Sequence, residues 1–207
     1  NAETGMINNI INFGLGLAIA DFNNDRWPDI YVCNDYSEQD YLYINNKDGT
    51  FSEELERYFD HISFSSMGND AADFNNDGFI DLFTLDMEPE DNYGNKLVSG
   101  PDNFDKFMNL KNSGFYNQSV RNMLQLNMHG DDFTEIGQYA GVFATNWSWS
   151  PLFCDVDNDG WKDLFITNGI FRRANDLDYV KFLTGGSRYL PSANKSDVPD
   201  KVLYEKM

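Results

Sequence analysis

Asp155-Val-Asp-Asn-Asp-Gly-Trp-Lys-Asp163 is one of three copies of a nine-residue acidic loop; the others are Asp21-Phe-Asn-Asn-Asp-Arg-Trp-Pro-Asp29 and Asp73-Phe-Asn-Asn-Asp-Gly-Phe-Ile-Asp81. Each places side-chain oxygens at positions 1, 3, 5 and 9, the alternation that a chain curling around a hard divalent cation turns inward. One such loop could be an acidic turn with no metal, but residues 14–35, 66–87 and 148–169 align around the three copies without a gap. The loop therefore marks an internal repeat.

The flanks of the loops set the fold. Each copy enters through a short run, Ala18-Ile-Ala20, Ala71-Ala72 or Leu152-Phe-Cys154, and leaves through a β-rich one, Ile30-Tyr-Val-Cys33, Leu82-Phe-Thr-Leu85 or Leu164-Phe-Ile-Thr167. In the first two copies a third strand follows, Tyr41–Ile44 and Met123–Leu126, then a glycine turn at Gly49 or Gly130 and an aromatic, Phe51 or Phe133. Four short antiparallel strands per unit describe a propeller blade. The 52 residues from Asp21 to Asp73 match the spacing of about 40 to 50 found in propeller repeats.

The fold expected is all-β: a partial β-propeller of about three blades in an open arc, with a short helical insertion and a C-terminal helical excursion. Blade 1 spans about 14–55, blade 2 about 61–137, and blade 3 starts near 140 and is truncated. The 82 residues from Asp73 to Asp155 leave an insertion at 88–121, with one or two helical turns and a binding or lid role. Residues 170–207 read as an excursion, with a capped helix at Asp176–Leu183 and a linker from Ser192 to Asp200.

Composition narrows the function. The 207 residues are 41% hydrophobic and 15% aromatic, enough for a packed core. A net charge of -19 repels phosphate backbones and so argues against nucleic acid. The three loops hold 10 of the 34 acidic residues, concentrated where like charges repel unless a cation binds. No apolar stretch approaches the ~18 residues of a membrane span. Cys33 and Cys154 lie in different repeats and read as small buried hydrophobes rather than a disulfide. The chain opens at Asn1 without a charged-then-apolar leader and reads as a piece of a longer protein.

Phe13-Gly-Leu-Gly16 ahead of these Asp-x-Asn/Asp-x-Asp-Gly-x-x-Asp loops resembles FG-GAP (VCBS) repeats, the blades of integrin-α-type propellers. Asp29-Ile-Tyr-Val32, Asp40-Tyr-Leu-Tyr-Ile-Asn-Asn-Lys-Asp-Gly-Thr-Phe51 and Asn146-Trp-Ser-Trp-Ser-Pro151 are more specifically similar to bacterial ASPIC/UnbV-associated VCBS proteins, relatives of cartilage acidic protein. That resemblance implies a secreted propeller of seven or eight blades, Ca²⁺ in each loop and no established catalytic residues. An RNA-binding role sometimes attached to the family finds no support in so acidic a chain.

Carried over position by position, the resemblance gives up to three Ca²⁺ sites. The side-chain ligands are Asp21, Asn23, Asp25 and Asp29; Asp73, Asn75, Asp77 and Asp81; and Asp155, Asp157, Asp159 and Asp163. The backbone carbonyls at position 7 belong to Trp27, Phe79 and Trp161. Gly78 and Gly160 suit the sharp turn at position 6, whereas Arg26 lacks glycine's freedom and adds positive charge. Loop 1 is thus expected to bind most weakly and loop 3, with four carboxylates, most tightly. An EF-hand would need Glu at position 12, which is Val32, Thr84 and Ile166 here.

Catalytic signals are sparse. His61 and His129 have no nucleophile beside them and read as surface or satisfied side chains, and Trp147, Trp149, Trp161 and Phe171 read as blade core. The sequons at Asn117, Asn146 and Asn194 matter only in a glycosylating host. The expected function is a non-catalytic, Ca²⁺-stabilised module of a larger protein, secreted or on the extracellular face of a bacterial cell envelope. Its partners are the remaining blades of the parent chain and an unknown protein or glycan. Alternatives are the propeller domain of a secreted polysaccharide-acting enzyme, and adhesion through a metal with an open coordination position.

Overall fold

The short runs entering each acidic loop and the β-rich runs leaving it fold as antiparallel strand pairs. The computed structural model describes residues 3–7, 9, 13–36, 38–98, 104–170 and 176–182. Strand β1 (Gly14–Ala20) runs antiparallel to β2 (Asp29–Asn34), with Ala18 opposite Tyr31 and Ala20 opposite Asp29. Then β3 (Tyr41–Asn45) and β4 (Phe51–Glu53) complete a sheet in the order β1-β2-β3-β4. Helix α1 (Leu55–Tyr58) and β5 (Ile62–Ser63) lead to the second hairpin, β6 (Gly68–Ala72) and β7 (Asp81–Leu85).

The insertion carries α2 (Asn92–Val98), α3 (Phe104–Asn112) and β8 (Gln118–Ser119) before the chain resumes the sheet with β9 (Met123–Asn127) and β10 (Phe133–Glu135). The second sheet is thus ordered β10-β9-β7-β6, and β8 pairs in parallel with β5. After α4 (Gly137–Ala140), β11 (Ser148–Cys154) and β12 (Asp163–Asn168) form the third hairpin. The result is a mostly β, open, partial propeller.

The chain divides into two compact units: residues 1–88 with 104–169, and residues 89–103 with 170–207. The sheets, α3 and β8 belong to the first. In the second, α2 is joined by a short helix, α5, at residues 177–182, where Asp176 Oδ1 accepts the amides of Asp178 and Tyr179 as an N-cap. The insertion is more helical than one or two turns, since α2 and α3 run for seven and nine residues. Its sequence lacks alternation because Asp105–Lys111 is made largely of helix formers, and left-handed Gly114, φ 91°, ends α3. Phe171, Gly185, Gly186 and the expected linker from Ser192 to Asp200, with Asn194, lie outside the described residues.

Successive hairpins stack at one equivalent position. A Cβ on Gly16 would lie 2.9 Å from the Gly68 Cα, and one on Gly68 would lie 2.4 Å from the Trp149 carbonyl oxygen, so glycine is required for the approach of β1, β6 and β11. Around these contacts Phe22, Tyr31, Leu42, Phe59 and Phe133 form the first core cluster, with the Phe59 and Phe133 rings stacked at 4.6 Å. Phe83, Leu85 and Leu124 form a second, against which Phe153, Leu164 and Ile166 of the third hairpin pack. The repeat-equivalent residues Tyr31, Phe83 and Phe165 are 1%, 0% and 57% exposed, so the face that blades 1 and 2 turn to a neighbour is open in blade 3. The opposite face is open in blade 1, at Leu15, Leu17 and Ile19.

Two buried carboxylates tie segments together, Asp40 joining blade 1 to blade 2 and Asp86 tying residues 63–65 to the end of β7. Asp40 accepts from Tyr31 Oη and Ser66 Oγ, both at 2.6 Å, and from the Asn34 amide at 2.8 Å. Asp86 accepts from Ser63 Oγ at 2.6 Å and from the Phe64 and Ser65 amides. Burial raises Asp40 to about 7 and Asp86 to about 6, and the hydrogen bonds offset only part of that rise. Between 3.8 and about 7 the folded chain therefore holds more protons at these sites than the unfolded chain does. Their contribution to stability is full at low pH and is lost as pH rises through about 6 to 7. In chelator, the melting temperature is expected to fall between about pH 4 and 7, and Asp40→Asn to flatten that slope; a slope unchanged in the variant would show that Asp40 does not carry it.

Candidate metal centres

Each acidic loop curls because two of its residues adopt left-handed backbone. Position 4 is Asn24, Asn76 or Asn158, at φ 57°, 58° and 62°, and position 6 is Arg26, Gly78 or Gly160, at φ 73°, 91° and 91°. Asparagine tolerates that region through local side-chain hydrogen bonds and glycine enters it freely, but arginine does so at a cost. The position-6 concern raised by Arg26 is thus a backbone fact. The asparagine at position 4 lies outside the expected ligand set, and its left-handed φ accounts for its recurrence.

The curl makes the same hydrogen bonds in all three loops. The carboxylate at position 1 accepts the amides of positions 5 and 6: Asp21 at 2.9 and 2.7 Å, Asp73 at 3.0 and 2.8 Å, Asp155 at 3.0 and 2.9 Å. Asn23, Asn75 and Asp157 each accept the position-5 amide as well. Asp25, Asp77 and Asp159 accept the amides of Trp27, Phe79 and Trp161. Positions 1, 3 and 5 are therefore gathered by hydrogen bonds made within each loop.

The copies differ in how their charge is balanced. In loops 1 and 2 the Asn23 and Asn75 amides donate to Asp25 and Asp77 at 3.0 and 2.9 Å. Loop 3 has Asp157 in place of that donor, and the oxygens of Asp155, Asp157 and Asp159 lie within 4.8 Å of one another. Loop 1 has an internal cation, because Lys47 Nζ stands 3.1 Å from Asp25 Oδ2. The matching residue of blade 2, His129, shares the left-handed turn and packs edge-on against Phe79, with ring centroids 5.1 Å apart.

Position 9 has a structural duty that the spacing did not announce. Asp29 accepts the Phe22 amide at 3.0 Å and the Asn45 amide at 2.9 Å, and Asp81 accepts those of Phe74 at 3.1 Å and Asn127 at 2.8 Å. Both are fully buried; burial raises Asp29 and pushes Asp81 up to about 6. Among the described residues Asp163 accepts only the Val156 amide, at 2.9 Å, stays exposed, and stands outside the group of three carboxylates. Loop neighbours also touch, since Asn76 Nδ2 donates to the Gly160 carbonyl at 3.0 Å.

Elsewhere the side chains depart from expectation. Trp149 and Trp161 are exposed rather than packed in a blade core, one held by an indole bond to the Gly169 carbonyl and the other at the solvent side of loop 3. Trp147 stacks on Trp149 at 5.9 Å. Both cysteines are free, as expected. His61 belongs to a cluster, with Nε2 3.0 Å from Arg121 Nη2 and 3.5 Å from Glu135 Oε2. No local pattern could announce it, because its members lie on separate segments joined through the insertion.

Residues 21–84 match the model of the FG-GAP-like repeat family, a span running from the first position of loop 1 into β7. No curated protein matches the chain. The side chains at positions 1, 3, 5 and 9 of the loops present oxygen acceptors, the atoms that suit a hard divalent cation, and loop 3 carries the most carboxylates at those positions. Replacing the left-handed arginine, Arg26→Gly, is expected to stabilise the chain in chelator by about 0.5 kcal/mol, measured by urea unfolding, because relief of strain exceeds glycine's entropy cost. A loss of stability would show that Arg26 is not strained.

Proposed function

We propose that the chain is a non-catalytic run of calcium-stabilised FG-GAP/VCBS blades from a larger protein of the ASPIC/UnbV-like kind, secreted or displayed on a bacterial cell, whose loops bind a protein or a glycan. The observation that carries this reading is the group of Asp155, Asp157 and Asp159, drawn together with no cation among their described partners. Three carboxylates that close repel one another unless a positive ion joins them.

The fifteen ligand positions would share three ions. Asp21, Asn23, Asp25, Trp27 and Asp29 would hold the first; Asp73, Asn75, Asp77, Phe79 and Asp81 the second; and Asp155, Asp157, Asp159, Trp161 and Asp163 the third. When bound, Ca²⁺ supplies charge neutralisation and cross-links a loop that the backbone has already curled. Ca²⁺ bound only by the folded chain stabilises it by mass action. Extracellular modules bind Ca²⁺ at about 10⁻⁴ to 10⁻³ M, which favours a calcium-rich exterior over cytosol. The net charge of -19 argues against a nucleic-acid partner, and no described helix is long and apolar enough to cross a membrane.

Binding is favoured over catalysis by the state of the acidic groups outside the loops. Asp40 and Asp86 are fully buried and hydrogen-bonded. Glu135, which a catalytic His61 would need as partner, is engaged by Arg121 Nη2 and by the Gly137 amide. The surfaces left for a partner include the insertion at 88–121 and the rim formed by the loops.

The test is a thermal melt in Ca²⁺ and in chelator, joined to titration calorimetry. Ca²⁺ is expected to raise the melting temperature. Asp159→Ala should remove more of that rise than Asp25→Ala, because among the described residues no cation is paired with the loop 3 carboxylates while Asp25 has Lys47 at 3.1 Å. An unchanged melt at saturating Ca²⁺ would falsify the structural role.

A further inference from the structure

Outside the acidic loops, the first unit contains an open cavity of about 450 Å³ between α3 and the β5–β8 bridge, a volume in the range of small-ligand sites. Its floor is fixed by backbone. Besides the two-residue parallel ladder, the Ile62 amide donates to the Asn117 carbonyl at 2.9 Å, and the Phe64 amide to the Ser119 carbonyl at 3.1 Å. Tyr116 Oη donates to the Phe59 carbonyl beside it. Such a floor keeps its shape without a ligand.

The lining combines three chemistries. Arg121 and His61 stand on one side, in a chain that is otherwise strongly acidic. Arg121 Nη2 meets Glu135 at 3.1 Å and His61 Nε2 at 3.0 Å, while Nη1 is engaged by no described residue. Asn117, Gln118 and Ser119 add neutral hydrogen-bonding side chains, and Asp60 adds an acceptor. Phe107, on α3, supplies an exposed apolar ring at the edge.

We propose that this cavity binds a carboxylate-bearing sugar, a hexuronate unit of a glycan. Arg121 receives the carboxylate, Asn117, Gln118, Ser119 and Asp60 exchange hydrogen bonds with the hydroxyls, and the pyranose packs on Phe107. The lining favours a ligand rich in hydroxyl donors, since Asn117 Nδ2 and Gln118 Nε2 already donate to the Asp60 and Glu38 carbonyls and leave their side-chain oxygens, with the Asp60 carboxylate, as acceptors. This assignment deepens the glycan side of the proposed function and rests on it.

The test titrates the 207-residue chain in Ca²⁺ with methyl β-glucuronide by NMR, alongside methyl β-glucoside and N-acetylglutamate. Glucuronide is expected to shift resonances of the cavity, with glucoside about tenfold weaker and N-acetylglutamate weaker still. Arg121→Gln should cost about tenfold, and Phe107→Ala, at an exposed site, about threefold. Equal binding of glucoside or of N-acetylglutamate, or a Phe107→Ala affinity equal to the parent's, overturns the assignment. The Ca²⁺-dependent melt is read on the same samples. Glucuronide failure with the melt shift intact overturns the cavity alone, whereas loss of both overturns the calcium module as well.

Discussion

A carboxylate buried at the start of the second strand holds each complete blade together. Asp29 ties the amide that follows its loop's first residue to the amide of Asn45 on the third strand, and Asp81 does the same with Asn127. The asparagines complete the joint. Asn45 donates to the Pro28 carbonyl and accepts the Lys47 amide, while Asn127 donates to the Ile80 and Phe22 carbonyls and accepts the Gly130 amide. Removing a carboxylate from water costs several kcal/mol, and charge-assisted bonds to two backbone amides offset much of it. Loop, third strand and following turn are thereby fixed at once, and through Phe22 the turn of blade 2 is also fixed to the loop of blade 1.

How much of this could be read from the chain depended on whether its signal was local. The strand pairs, their turns and the positions of the acidic loops were legible because an ungapped alignment of three copies filters out chance resemblance. The asparagines at positions 24, 76 and 158 were equally visible, yet a search for oxygens at odd positions passes over a residue whose purpose is its backbone angle. The second duty of Asp29 and Asp81 was not legible, since it requires partners 16 and 46 residues away. The cluster of His61, Arg121 and Glu135 is assembled by tertiary pairing of β5 with β8, which period and composition do not encode. Trp149 and Trp161 show the opposite failure: size and hydrophobicity suggested a core, but their places on the strand and the loop rim leave them in solvent.

The three loops share one backbone and differ in electrostatics. Loop 1 contains its own positive charges, Arg26 within it and Lys47 across from Asp25. Loop 2 has neither, but its Asn75 amide still quiets Asp77. In loop 3 that amide becomes Asp157, and Lys162, although within the loop, pairs with none of the three neighbouring carboxylates among the described residues. A repeat copied in form has thus diverged in its need for an outside cation, and the divergence resides in single side chains placed on an unchanged curl.

The stacking of the blades has a direction. Tyr31 and Phe83 on one face meet the next hairpin, and the residues that receive them, such as Phe153 and Ile166, belong to the other face. Because every repeat bears both faces, a tandem gene duplication supplies a new blade already complementary to its neighbours on each side. Such a chain can lengthen or shorten by whole repeats without inventing an interface, and Gly16 and Gly68 are the positions at which that freedom would be lost first.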